Sequence, residues 1–236
     1  MSSRVSIIIP FYNCPYIEVA VSSALQQYYT NTEIIVVDDG STQHANLLAP
    51  FMSRINYLGK SNGGTASALN HGIKYASGDY VVWLSSDDYF YPGKIMNQLY
   101  FMQQHNLLIS YTNFNYMDAA GNITQYNAST TFANKRDFYQ SFLTYNPVNG
   151  CTVMMRKDLF QAVGLFDENL PYTHDLDLWY RVLLHHIEFP ILNQSLTAYR
   201  WHGGMGTVRH GAAITAEVNF LKQRYHDRLQ HSIQQL

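Results

Sequence analysis

Four short apolar runs, each closed by a turn and three of them followed by a helix-periodic stretch, constrain this chain more than any other feature. They are Val5–Ile9, Glu33–Val37, Ile55–Leu58 and Tyr80–Leu84. Between them, Pro15–Gln27 carries Ile17, Ala20, Val21, Ala24 and Leu25 at i, i+3, i+4, i+7, i+8 spacing, with Asn13 as a cap ahead of Pro15. Thr65–Ala76 sets Leu69, Ile73 and Ala76 on one side, and Pro92–Gln104 is again helical. Strand–helix alternation with continuously apolar strands predicts an α/β fold whose mostly parallel sheet is covered on both faces. Ligands of such sheets bind beyond the carboxyl ends of the strands. Asp38-Asp39 and Asp87-Asp88 stand there, after the second and fourth runs.

The second half is less regular. Ile109–Phe114 and Val153–Arg156 read as strands, Lys157–Val163 as a short helix closed by Gly164, and Leu176–His185 as a helix. Tyr111–Asn149, rich in Asn, Thr and Tyr, is expected to carry long loops or a small excursion. After Gly203-Gly204, Ala212–Leu236 shows Ile214, Val218, Leu221, Tyr225, Leu229 and Leu236 at helical spacing. The expected organisation is therefore a domain over 1–205 and a helical extension over 206–236. That stripe is open to packing on its own domain, dimerisation or peripheral membrane contact.

At 236 residues and 47% apolar, the chain is long enough for one large core. With 14% charged residues and a net charge of −2, it lacks the basic clusters that nucleic acid demands. Its two cysteines, Cys14 and Cys151, form no Cys-x-x-Cys unit, which suits a reducing compartment and leaves zinc nothing to build on. No apolar run reaches the roughly 18 residues needed to span a bilayer. A cytoplasmic protein is expected, with contact at the inner face of the membrane left open.

The acid clusters carry the chemistry. Adjacent acids such as Asp87 and Asp88 repel unless a cation or water offsets them, and oxygen ligands favour Mg²⁺ or Mn²⁺ bridging to phosphate. A solvated turn capping the next helix is the alternative. Asp38-Asp39-Gly40-Ser41 reads either as an acid contacting a base or ribose or as a Gly-containing turn. Asn62-Gly63-Gly64-Thr65 allows backbone amides to approach a ligand at a helix start, yet matches neither the dinucleotide nor the P-loop signature. In His174-Asp175-Leu176-Asp177-Leu178-Trp179, Asp175 is either a base or a helix cap. His202 is a metal ligand, a phosphate contact or incidental.

In order along the chain, Val5-Ser6-Ile7-Ile8-Ile9-Pro10-Phe11-Tyr12-Asn13, Ile34-Ile35-Val36-Val37-Asp38-Asp39-Gly40-Ser41-Thr42, Asn62-Gly63-Gly64, Gly78 to Asp88, Val163 to Glu168 and Asp175 to Arg181 resemble glycosyltransferase family 2. The resemblance covers about residues 4 to 202. It implies the GT-A fold, a Rossmann-like central sheet flanked by helices. It also implies an inverting, metal-dependent, hexosyltransferase-type enzyme of polysaccharide or glycoconjugate synthesis. The donor would be a nucleotide sugar, with UDP foremost, and the acceptor a glycan, lipid-linked or protein hydroxyl.

Residue by residue, the resemblance assigns Asp39 to the base, and Pro10, Phe11, Tyr12, Asn62, Ser86 and Asp87 to the nucleotide. Asp87, Asp88 and His202 fall to Mn²⁺ or Mg²⁺, Asp175 to the general base, and Asp177 and Trp179 to the acceptor or its support. Two positions depart from the pattern: Ser85 replaces the first acid of the Asp-x-Asp motif, and His174 replaces the Glu before Asp175. A nucleotidyltransferase or a non-catalytic nucleotide-sugar-binding module are the competing readings. The first lacks its Gly-rich, basic N-terminal loop, and retention of Asp87, Asp88 and Asp175 argues against the second.

Overall fold

The computed structural model describes residues 2–236, and each sequence-predicted strand and helix is present with shifts of a few residues at its ends. Strands β1 (Val5–Phe11), β2 (Thr32–Asp38), β3 (Asn56–Gly59) and β4 (Tyr80–Trp83) pair in parallel, in the order β3-β2-β1-β4. Helices α1 (Ile17–Leu25), α2 (Gly64–Tyr75) and α3 (Lys94–Gln104) cover them, with a two-residue strand β5 (Tyr89–Phe90) before α3. β1 runs two residues beyond the Val5–Ile9 run, and Pro10 stays in register opposite Val37.

Among the described residues, the second half adds β6 (Ile109–Met117), β7 (Ile123–Gln125), β8 (Met154–Arg156) and β9 (Ile191–Arg200) to the same sheet. β8 runs antiparallel between β4 and β6, while β9 is parallel to β6 and antiparallel to β5. The sheet is thus parallel in its first half and mixed in its second. Helices α4 (Lys135–Ser141), α5 (Leu159–Val163), α6 (His174–Leu184), α7 (Gly206–Arg209) and α8 (Gly211–Gln234) follow in chain order. The Tyr111–Asn149 stretch is less loop-like than its composition suggests, because it holds most of β6, all of β7 and α4. Asn134 caps α4 by accepting the Asp137 amide at 2.9 Å.

Alternation along the parallel strands sorts the core into two layers. Ile7, Ile9, Ile34, Val36 and Val82 face α1 and α3, while Ile8, Ile35, Val37 and Val81 face α2, α5, α6 and α8. Leu221, Tyr225, Leu229 and Ile233 of α8 belong to this second layer. The stripe left open to a dimer or a membrane is therefore spent on α4 and α6, with Ile233 buried where the sequence favoured Leu236, which is exposed. No described helix is long and apolar enough to cross a membrane.

Gly72 of α2 lets the helix backbone lie directly on the sheet: a Cβ there would stand 2.5 Å from Ile8 Cγ2 and 3.2 Å from Val37 Cγ2. Both neighbours are fully buried, so neither has room to withdraw. Gly72→Ala should destabilise the protein by about 1–3 kcal/mol through overpacking. Urea denaturation checks it, with a lowered midpoint and an unchanged slope as the expected result.

Candidate active site

Register brings the loops after β1 and β2 together, since Phe11 pairs with Asp38 at the last rung. Asn13, in the left-handed region at φ 49, stitches them. Its Oδ1 accepts the Thr42 and Gln43 amides at 2.8 Å each, and its own amide donates to Ser41 Oγ at 3.1 Å. Asp38 accepts the Ser41 amide at 2.7 Å and the Tyr57 hydroxyl, whose pKa burial and the Asp38 carboxylate push up to about 12. Asp38 is thus a structural acid.

Asp39, only 3% exposed, turns to the start of α2. Its carboxylate accepts the Gly63 amide at 3.0 and 3.1 Å and the Gly64 amide at 2.7 Å, and pairs with Lys60 Nζ at 2.5 Å. An anion at a helix start gains from free amides and the helix dipole together. Asn62 donates its side-chain amide to the Asp39 carbonyl at 2.9 Å, so Asp39 and Asn62 form one wall. Phe11 is buried, Pro10 half-buried and Tyr12 54% exposed; of the three, Tyr12 offers the most surface to a ligand.

The loop after β4 separates the two acids the sequence groups together. Asp87 is half-buried and its Oδ2 lies 3.0 Å from His202 Nε2. Asp88 has no exposed surface. Its Oδ1 accepts the Arg200 backbone amide at 2.8 Å, and burial, reinforced by Asp87, raises its carboxyl well above the usual range. Asp88 as a metal ligand is therefore corrected: it faces inward and clips the end of β9 to the β4–β5 loop.

Arg200 completes the clip. Its Nε donates to the Asp87 carbonyl at 2.8 Å, one terminal nitrogen reaches the Asp118 and Ala119 carbonyls at 3.1 Å, and its guanidinium stacks 4.3 Å from the Tyr16 ring centre. Tyr16 also meets His202 edge-on at 5.2 Å. Beside it, the Cys14 thiol lies near Ser86, and its pKa is raised by burial and by the nearby acids. Behind Asp88, the buried Lys94 ammonium donates to the Thr152 carbonyl at 2.6 Å, its pKa lowered by burial to about 7.

Asp175 lies half-buried in the first turn of α6. One oxygen accepts the Leu176 amide at 2.7 Å and the other the Asn146 side-chain amide at 2.9 Å. Burial raises its pKa, against the opposing pull of His174 and these donors. The His174 ring lies tilted 5.5 Å from Trp83, the last residue of β4, and burial holds its pKa below the usual value. The segment that holds Asp175 through Asn146 reaches Asp88 at Cys151, whose thiol is raised by burial and by the Asp88 charge. Gly150, next to Cys151, lies against the Trp83 ring, and so does His174, next to Asp175. Asp175 and the loop of Asp87 and Asp88 thus both stand by the carboxyl end of β4.

Of the two residues given to the acceptor or its support, both are structural. Asp177, 2% exposed, accepts Arg181 Nε at 2.8 Å and the Tyr225 hydroxyl at 2.7 Å, so it anchors α8 and takes the supporting place. Trp179 is fully buried against Phe189 and offers no sugar-binding face. Sequence reasoning missed Tyr16, Cys14 and Asn146 as cleft residues. Only their position beside the recognised motifs hinted at it. Among the described residues no three acids, cysteines or histidines cluster as a metal cage. Asp87 with His202 nonetheless presents an oxygen and a nitrogen 3.0 Å apart on two partly exposed side chains. Such a pair suits a divalent ion that completes its shell with water and phosphate oxygens.

The family model for glycosyl transferase family 2 matches residues 6–164. An uncharacterized glycosyltransferase of Rickettsia typhi is 40% identical over 188 residues, covering 77% of this chain and 59% of its own length. The chain thus spans about three fifths of that relative, and 58% of a similar one from Rickettsia prowazekii. The Escherichia coli UDP-Glc:alpha-D-GlcNAc-diphosphoundecaprenol beta-1,3-glucosyltransferase WfaP is 34% identical over 225 residues, covering 92% of this chain and 85% of WfaP. Among solved structures, Staphylococcus aureus TarS 1–349 in complex with UDP-GlcNAc matches 95% of this chain and 72% of its own, with a TM-score of 0.71 at 18% identity. That likeness speaks to the fold, which is the GT-A arrangement expected from the sequence. With the family model and the relatives in agreement on a chain whose acids gather at the carboxyl ends of β2 and β4, the protein belongs to glycosyl transferase family 2.

Proposed function

We propose that the chain is an inverting glycosyltransferase that moves a hexose from a UDP-sugar to a hydroxyl of a lipid-linked glycan. The observation that carries this reading is that Asp175 and Asp87 stand beside one strand end: Asp175 follows His174, whose ring meets Trp83 at the end of β4, and Asp87 lies in the loop that leaves the same residue. WfaP, whose name specifies UDP-glucose and a diphosphoundecaprenol-linked GlcNAc, supports the donor and acceptor classes.

In this reading the nucleotide lies between the Asn13-stitched loops and the wall of Asp39 and Asn62, with Tyr12 and Ser86 beside it. The acceptor oxygen bonds to the donor C1 as the C1–O bond to the diphosphate breaks, and the electron pair leaves with UDP. Asp175 takes the hydroxyl proton. One displacement from the opposite face inverts C1, and no carboxylate nucleophile is required. Asp87 and His202 would hold Mn²⁺ or Mg²⁺, which when bound offsets charge developing on the departing diphosphate. Burial serves Asp175 directly: a raised pKa makes its carboxylate a stronger proton acceptor, while Asn146 keeps it ionised and aimed.

Release of UDP from UDP-glucose and other UDP-sugars, with a GlcNAc-diphosphate lipid as acceptor, tests the function. No turnover of any UDP-sugar, with or without Mn²⁺, overturns it. Asp175→Asn should bind UDP as the parent does and lose about 100-fold or more in turnover; a near-parental rate removes Asp175 from the reaction. Turnover requires ionised Asp175, so it falls as pH drops through that pKa. Asn146→Ala deletes a hydrogen bond that favours the charged form, so the acid limb of the kcat/KM–pH profile should move to higher pH. Asp87→Ala and His202→Ala should each weaken Mn²⁺ binding in the presence of UDP by about tenfold or more, read by calorimetry. Unchanged affinity in both denies them the ion.

A further inference from the structure

Helix α8 lies beyond the residues 6–164 matched by the family model, yet it reaches both supports of Asp175. Glu217 Oε2 accepts the Tyr172 amide at 3.2 Å, the Thr173 amide at 3.0 Å and the Thr173 hydroxyl at 2.7 Å. These residues lead directly into His174 and Asp175. Thr173 occupies the cap position of α6 but makes no side-chain cap bond of its own. The start of the helix is instead held from outside, by a carboxylate more than forty residues downstream. A negative charge there also complements the positive end of the α6 dipole.

The second support is the loop that supplies Asn146. Lys222, just over one turn beyond Glu217, donates its ammonium to the Thr144 carbonyl at 2.6 Å, two residues before Asn146. Below them, the Tyr225 hydroxyl donates to Asp177 at 2.7 Å and its ring stacks on Tyr180 at 4.9 Å, which fixes the body of α6 against α8. At the head of α8, His210 stacks on Tyr172 at 4.7 Å. Each tether ends on the backbone or side chain of a segment that carries Asp175 or its hydrogen-bond donor. The loops of Asp39, Asn62 and Asp87 receive none of them.

We infer that Glu217, assisted by Lys222, is a positioning residue that sets Asp175 against the acceptor hydroxyl from behind α6. The inference rests on Asp175 as the base in the reaction proposed above. Proton transfer tolerates little displacement, and a shift near 1 Å can cost about 100-fold. Loosening the start of α6 should therefore lower turnover while donor binding stays as it was.

The test measures UDP release from UDP-glucose, or whichever UDP-sugar the parent turns over fastest, alongside UDP affinity by calorimetry. Glu217→Ala should lose about tenfold or more in kcat, with donor KM and UDP Kd within about twofold of the parent. Glu217→Gln, whose amide oxygen still accepts N–H bonds, should recover most of that loss. Leu229→Ala, fully buried lower on the same helix, is the control: it should lower Tm as least as much yet keep parental kcat well below its melting point. If Glu217→Ala does not fold, Lys222→Ala carries the same expectation with a smaller loss. Parental kcat in the Glu217 and Lys222 variants overturns the inference, as does an equal kcat loss in Leu229→Ala or a parallel loss of donor affinity. Asp175→Asn is measured beside them. A dead Asp175→Asn with a fully active Glu217→Ala defeats this inference alone, whereas an active Asp175→Asn defeats the base assignment itself.

Discussion

The parallel pairing of β1 with β2 on one side and β4 on the other sets Phe11 opposite Asp38 and Ile8 opposite Trp83, so three loops leave the sheet along one edge. A slip of one residue would turn each strand's side chains to the other face. The two core layers forbid it, since Ile7 and Ile9 pack with α1 while Ile8 packs with α2. Apolar burial in the first half thus fixes where the carboxylates of the cleft stand. The stitched loops at Asn13 and the amides around Asp39 refine a placement the register has already made.

The first half is legible because β1, β2 and β4 are buried on both faces and read as unbroken apolar runs, while the exposed edge strand β3 is marked only by its place between turns. The second half obeys other rules. β9 reads Ile-Leu-Asn-Gln-Ser-Leu-Thr-Ala-Tyr-Arg, with exposed Asn193 and Gln194 in its middle, and its identity as a strand comes from β6 and β5 rather than from its own pattern. Arg200 and His202 reach the cleft only because that strand ends there. α4 is short and flanked by polar residues, and its buried face is the aromatic pair Phe138 and Tyr139. No local period announces such an element.

The residues that turn away from the site share one cause. Motif proximity gives the neighbourhood of a side chain and not its direction. Asp177 follows Asp175 by two positions, about 200° around the helix, which points it at Tyr225. Trp179 follows by one turn, about 6 Å deeper along the axis, which carries it from the cleft mouth into the core. Asp88 is the strand-side neighbour of Asp87, so its carboxyl turns under the loop. Conversely, Asn146 and Glu217 gain their roles through tertiary contacts that no spacing encodes.

The clip between Asp88 and the Arg200 amide joins positions 112 residues apart, and the contact of Asp87 with His202 joins positions 115 apart. Contacts of such long sequence separation must close a large loop before they repay its entropy. The strands that carry Asp38 and Asp87 can therefore pair while most of the chain is still on the ribosome, but the cleft cannot assemble until residue 202 has emerged. The cell then holds, for the time needed to synthesise the stretch between β8 and the end of β9, a sheet whose β6 and β5 edges still lack their shared partner. That interval is where a chaperone would act.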